Sequence, residues 1–354
     1  MSKGLAMIPR FILAVTDLSP RGNHALSRAA LLCAEHGAAL TLVYLAYPGE
    51  AVPGDASTRL AHHALQLGQR HGIRVRAVSR LSFKVEDLLP EARRADLVVW
   101  GTAPVRGLRA FFAGEPVEQF LRTARRPVLV VRREAERDYR SLIVAVDFSE
   151  SSRALVDISF GLGKSAEVEL FHAVSTANEG KLRHAEVSEQ AIKAYRDACR
   201  RHAQDRMFWL TDSYDSRRNR VLSAISHGDA ARQTVVQQQN SGAELIVVGR
   251  HPSSRWSELL FDKTASRILD LSDADVLVVP HDHEPASSAA AAHRLAADAL
   301  PVRRVRAGGP RPPQLPDPAA VNGRAIRAGQ PTTATGGHGA PLPSFWLSAA
   351  AMGR

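Results

Sequence analysis

Arg10-Phe-Ile-Leu-Ala-Val-Thr-Asp-Leu-Ser19 returns 130 positions later as Arg140-Ser-Leu-Ile-Val-Ala-Val-Asp-Phe-Ser149. Each is a short, continuously apolar run that stops at Asp-x-Ser, as a strand buried on both faces does when its far end turns at once into another element. Asp17 and Asp147 mark the two strand ends. The patterns that follow each run come in the same order. One folding unit is therefore carried twice, and its chemistry is to be sought in the strand-end loops of both copies.

In the first copy Ser19-Pro20 caps and opens a helix with Leu26, Ala29, Ala30 and Cys33 on one face, and Gly37 stops it. Ala39 to Ala46 reads as a second buried strand, Thr58 to His71 as a helix, and Ile73 to Ser79 as an alternating strand with one wet face. A helix from Val85 to Arg94, a strand from Ala95 to Gly101, a helix from Glu115 to Thr123 and a strand from Pro127 to Val131 complete it. The second copy repeats the order. Its helix after Ser149-Glu150 ends at Gly163, its long helix from Glu186 to Gln204 carries Ile192, Tyr195 and Cys199 on one side, and its last strand runs from Ala274 to Val279.

Strands alternating with helices predict parallel sheets. The expectation is two doubly wound, Rossmann-like α/β domains, 1–135 and 136–281, each a five-stranded parallel sheet with helices on both faces. The Ala/Pro/Gly/Arg-rich tail over 282–354 is expected to be disordered, since it has too little apolar surface to offset its ordering entropy. Within it, Ala289 to Leu300 reads as a transient helix and Ser344-Phe-Trp-Leu347 as an isolated apolar cluster. Ligands in such sheets sit outside the carboxyl ends of the strands where the winding reverses, here strands one and four. Asp147 follows Asp17 by 130 positions but Gly249 follows Gly101 by 148, so the second copy is 18 residues longer between these marks. The excess falls around the long helix and Met207 to Arg218, a solvated excursion or a partner-binding flap.

Composition narrows the function classes. The chain has 354 residues, is 45% hydrophobic, and nowhere approaches the apolar length needed to cross a bilayer. Met1 to Pro9 leads straight into the first strand without the apolar core of a signal peptide, so a cytoplasmic location is expected and no membrane partner. Cys33 and Cys199 form no CxxC or His/Cys cluster; both are read as small buried hydrophobes, and no metal site is expected. The formal charge of +10 is scattered in basic pairs without interleaved aromatics, and the tail from His281 holds eight Arg against four acids. A solvated basic surface follows, not a specific nucleic-acid site.

The paired Val-x-Asp-x-Ser strand ends, His227-Gly-Asp-Ala230 ahead of a helix, and Gly242-Ala-Glu-Leu-Ile-Val-Val-Gly249 resemble the universal stress protein family in its tandem form, over about Pro9 to Pro280. The resemblance implies pairing of the two units through their fifth strands, with a homodimer also open. It also implies a nucleotide site made by the strand-one Asp and a loop GxxGxxxxxxxxxG followed by Ser or Thr. Glycines there let backbone N–H groups close on phosphates, and the hydroxyl donates at the helix start. The first copy matches at Asp17, Gly101 and Gly114, with Gly107 as a displaced substitute, but has Pro104 and Glu115 at the other places. The second keeps Asp147 and Gly249, with Pro252, Asp262 and Lys263 at the remaining positions and Arg250, His251 and Arg255 offering point charge instead of a cradle. Asp17 and Asp147 also suit plain capping of the strand-to-helix bend. No GxSxG, HExxH, GxxxxGK[ST] or complete GxGxxG is present, so no catalytic set is assigned. The favoured expectation is a stress-response regulatory or binding module with degenerate nucleotide sites, no required cofactor and an unknown protein partner; the alternative is a sensor that binds ATP and Mg²⁺ and hydrolyses it slowly.

Overall fold

The computed structural model describes residues 8–46, 52–101, 116–212, 221–250 and 262–281. The loop positions Gly107, Gly114 and Arg255 and the tail expectations for Ala289 to Leu300 and Ser344 to Leu347 lie outside them. In the first copy, β1 (Phe11–Thr16), β2 (Ala39–Tyr44), β3 (Val75–Ala77), β4 (Leu97–Gly101) and β5 (Val128–Val130) alternate with α1 (Pro20–His36), α2 (Ala56–His71), α3 (Leu89–Ala92, entered through a 3-10 turn at Val85–Leu88) and α4 (Pro116–Thr123). In the second, β6 (Ser141–Ala145), β7 (Glu167–Val174), β8 (Val221–His227), β9 (Leu245–Arg250) and β10 (Asp275–Pro280) alternate with α5 (Ser151–Leu162), α6 (Ala177–His184), α7 (Glu189–Asp212), α8 (Ala230–Ser241) and α9 (Asp262–Leu271).

The strands form one ten-stranded sheet in the order β3-β2-β1-β4-β5-β10-β9-β6-β7-β8. Each half is parallel, and the winding reverses at β1/β4 and at β6/β9, the two predicted switch points. The halves join by an antiparallel pairing of fifth strands, with Val276 opposite Val130, Leu277 opposite Leu129 and Val278 opposite Val128. All six side chains are buried, so each strand covers an apolar edge that the other copy would otherwise expose. Helices then bury both faces, around Leu13, Trp100, Phe120 and Ile246 on one and Leu40, Leu142, Leu170 and Leu277 on the other.

The strand-to-helix bends explain the repeated Asp-x-Ser. The middle residues, Leu18 at φ 59° and Phe148 at φ 60°, adopt the left-handed conformation that L side chains resist by roughly 1–2 kcal/mol. In each bend the Asp side chain holds the turn by accepting the Ser backbone N–H at 2.9 Å, from Ser19 to Asp17 and from Ser149 to Asp147. Ser19 then caps α1 by accepting the Gly22 N–H, and Gly37 at φ 66° closes that helix.

Several local expectations need correction. The third strand is only Val75–Ala77, at the edge of the sheet, with the flanking Arg74 carbonyl and Val78 N–H still paired to Leu40 and Leu42 of β2. A helix at Ala177–His184, polar and interrupted by Gly180, precedes the long one. That long helix starts at Glu189 and continues to Asp212, because Ala203, Met207 and Leu210 keep the helical spacing of buried positions. The expected excursion is thus helical through Trp209, with Phe208 and Trp209 exposed, and residues 213–220 lie outside the described set.

Candidate functional site

The two rims differ in how closely the first helix of each copy approaches its strand ends. In the first copy a Cβ on Gly22 would sit 2.3 Å from Thr16 Oγ1, 2.7 Å from Asp17 Oδ1 and 2.9 Å from the Gly101 carbonyl. A Cβ on Gly101 would lie 2.0 Å from that of Ala25. The helix is seated directly on β1 and β4, and no ligand fits between them at these residues.

In the second copy Ser152 stands where Gly22 is and Leu155 where Ala25 is. The larger side chains hold α5 off the sheet, and a Cβ on Gly249 would meet the end of the Leu155 side chain, with Cδ1 nearest at 3.2 Å. Asp147 Oδ1 turns inward to its own bend, accepting the Ser149 N–H (2.9 Å), the Ser149 hydroxyl (2.6 Å) and the Ser152 hydroxyl (2.9 Å). A cavity of about 510 Å³ opens beyond it, at the carboxyl ends of β6, β7 and β9.

One wall is α7, where Tyr195, Cys199, His202 and Ala203 recur at helical spacing and face the cavity together. The opposite wall is the start of α8 and α9. Asp229 caps α8 through the Arg232 N–H (3.0 Å) and holds Arg267 at 2.6 Å. Burial works to raise the Asp229 pKa, but the Arg232 N–H and the Arg267 guanidinium outweigh it and keep the carboxylate below its usual range. Phe148 and His172 form the end of the slot, their ring centroids 4.3 Å apart at 36°. Burial pushes His172 below its ordinary value and nearby His202 adds to this, against the Val146 carbonyl and Asp147. The ring is neutral at pH 7. Its Nδ1 lies 2.8 Å from the Val146 carbonyl, which can only accept, so Nδ1 carries the proton and Nε2 is an acceptor.

Of the residues expected from sequence, Asp147 and Gly249 line this cavity, and Asp17 and Gly101 lie where α1 packs directly on β1 and β4. Arg250, half-buried at the end of β9, donates to the Leu121 carbonyl of the first copy. His172, Tyr195, Cys199, His202, Thr264 and Arg267 were not assigned from sequence. The stripe through Tyr195 and Cys199 was visible, but helical spacing alone does not separate a cavity wall from a core face. Cys199 corrects an expectation: it is half-buried against the cavity, whereas Cys33 is the buried hydrophobe foreseen, its thiol pushed up to about 12 by burial. Among the described residues no group of three His, Cys, Asp or Glu side chains is arranged to hold a metal ion, and no helix is long and apolar enough to cross a membrane.

The model of the universal stress protein family matches this chain twice, at residues 10–132 and 138–280. Among solved structures, a universal stress protein from Archaeoglobus fulgidus DSM 4304 is similar at 14% identity and TM-score 0.56, over 76% of this chain and 96% of its own. A functionally unknown protein from Pseudomonas aeruginosa PAO1 is similar at 23% identity and TM-score 0.54, over 82% of this chain and 98% of its own. At these identities the likeness is one of fold. No curated protein matches the chain.

Proposed function

We propose that this chain, which belongs to the universal stress protein family, is a non-catalytic regulatory binding module with unequal rims: the second copy binds a ligand and the first serves as its structural counterpart. The observation that carries the reading is the contrast between Gly22 and Gly101, packed against strand ends and helix, and the cavity of about 510 Å³ beside Ser152 and Leu155. A degenerate nucleotide site fits the same geometry. Asp147 is engaged by Ser149 and Ser152, Arg267 by Asp229, and Arg250 by the Leu121 carbonyl, so these groups are committed within the fold. Pairing through the fifth strands is used inside the chain, and a homodimer would need another surface.

The test is titration of the full chain with nucleotides and nucleosides in the presence of Mg²⁺, together with a phosphate-release assay. At most one equivalent per chain and no release of phosphate is the expected result. Two equivalents of ATP, or turnover, would favour the ATP-hydrolysing sensor and overturn the reading.

A further inference from the structure

We infer that β8 is a docking edge for a second copy of this chain, which adds antiparallel across a two-fold axis at Ala224 and doubles the ten-stranded sheet. The sheet ends on β3 and on β8, and the two ends are built differently. β3 holds three residues, and the exposed Arg76 within it pairs with Glu91 at 2.7 Å. A short, charged strand is one way proteins keep a sheet edge from pairing. β8 runs for seven residues, Val221–His227, matches β7 along its whole length, and contains no Lys, Arg, Asp or Glu. On it Leu222 is 52% exposed, and Ser223 is exposed beside it. β8 thus carries neither the shortness nor the charge that guards the opposite end.

The partner is a second copy for two reasons. The chain already joins apolar edges in this way, since β5 and β10 pair antiparallel with Val128 opposite Val278 and Val130 opposite Val276. β8 is also complementary to itself. Centred on Ala224, an antiparallel pair sets Val221 opposite His227, Leu222 opposite Ser226 and Ser223 opposite Ile225, so like charges meet at none of the seven positions. The helix layer agrees. α7 packs over β7 and β8, while its Arg206 and Trp209 line a groove with Phe148 and Arg153 at the start of α5. Residues step about 100° round a helix, so Phe208, 65% exposed, follows the buried Met207 on the side of α7 away from α5, toward the open edge. A two-fold axis normal to the sheet keeps both α7 helices on one face, with Phe208 of each copy toward the seam. Because β3 is guarded, the assembly closes at two copies.

Sedimentation velocity of the full chain is expected to show a dimer that dissociates on dilution and no larger species. Leu222→Lys, at an exposed position, puts a charge on the edge and should raise the dimer dissociation constant about tenfold or more, with the circular dichroism spectrum unchanged. Ala224→Cys reads the position of the axis. Antiparallel partners have Cα atoms about 4.5–5.5 Å apart, within disulfide reach, so mild oxidation should give a covalent dimer. The unsubstituted chain, with Cys33 buried and Cys199 half-buried, is the control and should give none. A chain that stays monomeric at millimolar concentration, open-ended association, a dimer that Leu222→Lys leaves intact, or a folded Ala224→Cys chain without covalent dimer would each overturn the inference.

Discussion

Replacing Asp275 by Asn tests the junction that makes the two copies one body. Asp275, only 1% exposed, accepts the backbone N–H of Arg132 (2.8 Å) and Arg133 (3.2 Å) and the hydroxyl of Tyr139 (2.6 Å), and lies 3.6 Å from Arg28 Nε. Arg28, itself buried, stacks 3.8 Å above the Tyr139 ring and donates to the Arg137 carbonyl. The carboxylate thus gathers α1, the connection between the copies and β10. Asn keeps the shape but removes the charge and turns one acceptor into a donor. At least one of the three donors loses its acceptor, at about 1–3 kcal/mol. Arg28 also loses its counter-charge, and removing one partner of a buried pair typically costs about 3–5 kcal/mol. These terms overlap, so the expected loss is about 3–5 kcal/mol. At about 2–4 °C per kcal/mol for a domain of up to 250 residues, Tm should fall by roughly 6 °C or more. Differential scanning calorimetry measures it, with Arg28→Met and the double variant completing a cycle. The double variant should be more stable than the sum of the singles by at least about 1 kcal/mol, because removing both charges leaves no buried orphan. A fall of less than 2 °C in Asp275→Asn, or strict additivity, would refute the account.

Thiol labelling of the native protein should modify Cys199 readily and Cys33 only on unfolding, as their burial and the raised Cys33 pKa require; equal rates would contradict the placement of Cys199. Gly22→Ala should destabilise by about 1–3 kcal/mol through overpacking against Thr16 Oγ1, seen as a lower urea midpoint, and a neutral result would reopen the first rim. Burial lowers the folded-state pKa of His36 and His172 below 6.5, so the unfolded chain binds protons first as pH falls. Their contribution is intact above the unfolded value and is lost as pH drops through the depressed ones. Tm should therefore be level from pH 7 to 8 and decline from 6.5 toward 5, with a shallower slope in His172→Phe; a Tm that rises on acidification would oppose the assignment.

The doubled architecture was legible because its signals are local: apolar runs, Asp-x-Ser bends and helix-stopping glycines each act within a few residues. The fifth-strand pairing was anticipated through resemblance, and the buried valines on both strands explain it. The cavity was not legible. Whether the rim opens depends on how far α1 and α5 stand from the sheet, and that distance is set by Gly22 against Ser152 and Ala25 against Leu155, residues whose effect appears only when helix meets strand end. The α7 wall was hidden for a related reason, since Tyr195, Cys199 and His202 have the spacing of a core stripe until the opposite layer is found to be recessed.

Because β5 and β10 run in opposite directions, the carboxyl ends of the two sets of strands point to opposite margins of the common sheet. The second copy's cavity and Asp17 therefore lie at opposite margins of the sheet. A macromolecule in contact with both margins would have to reach around the sheet, whereas one that grips a single margin reads a single copy.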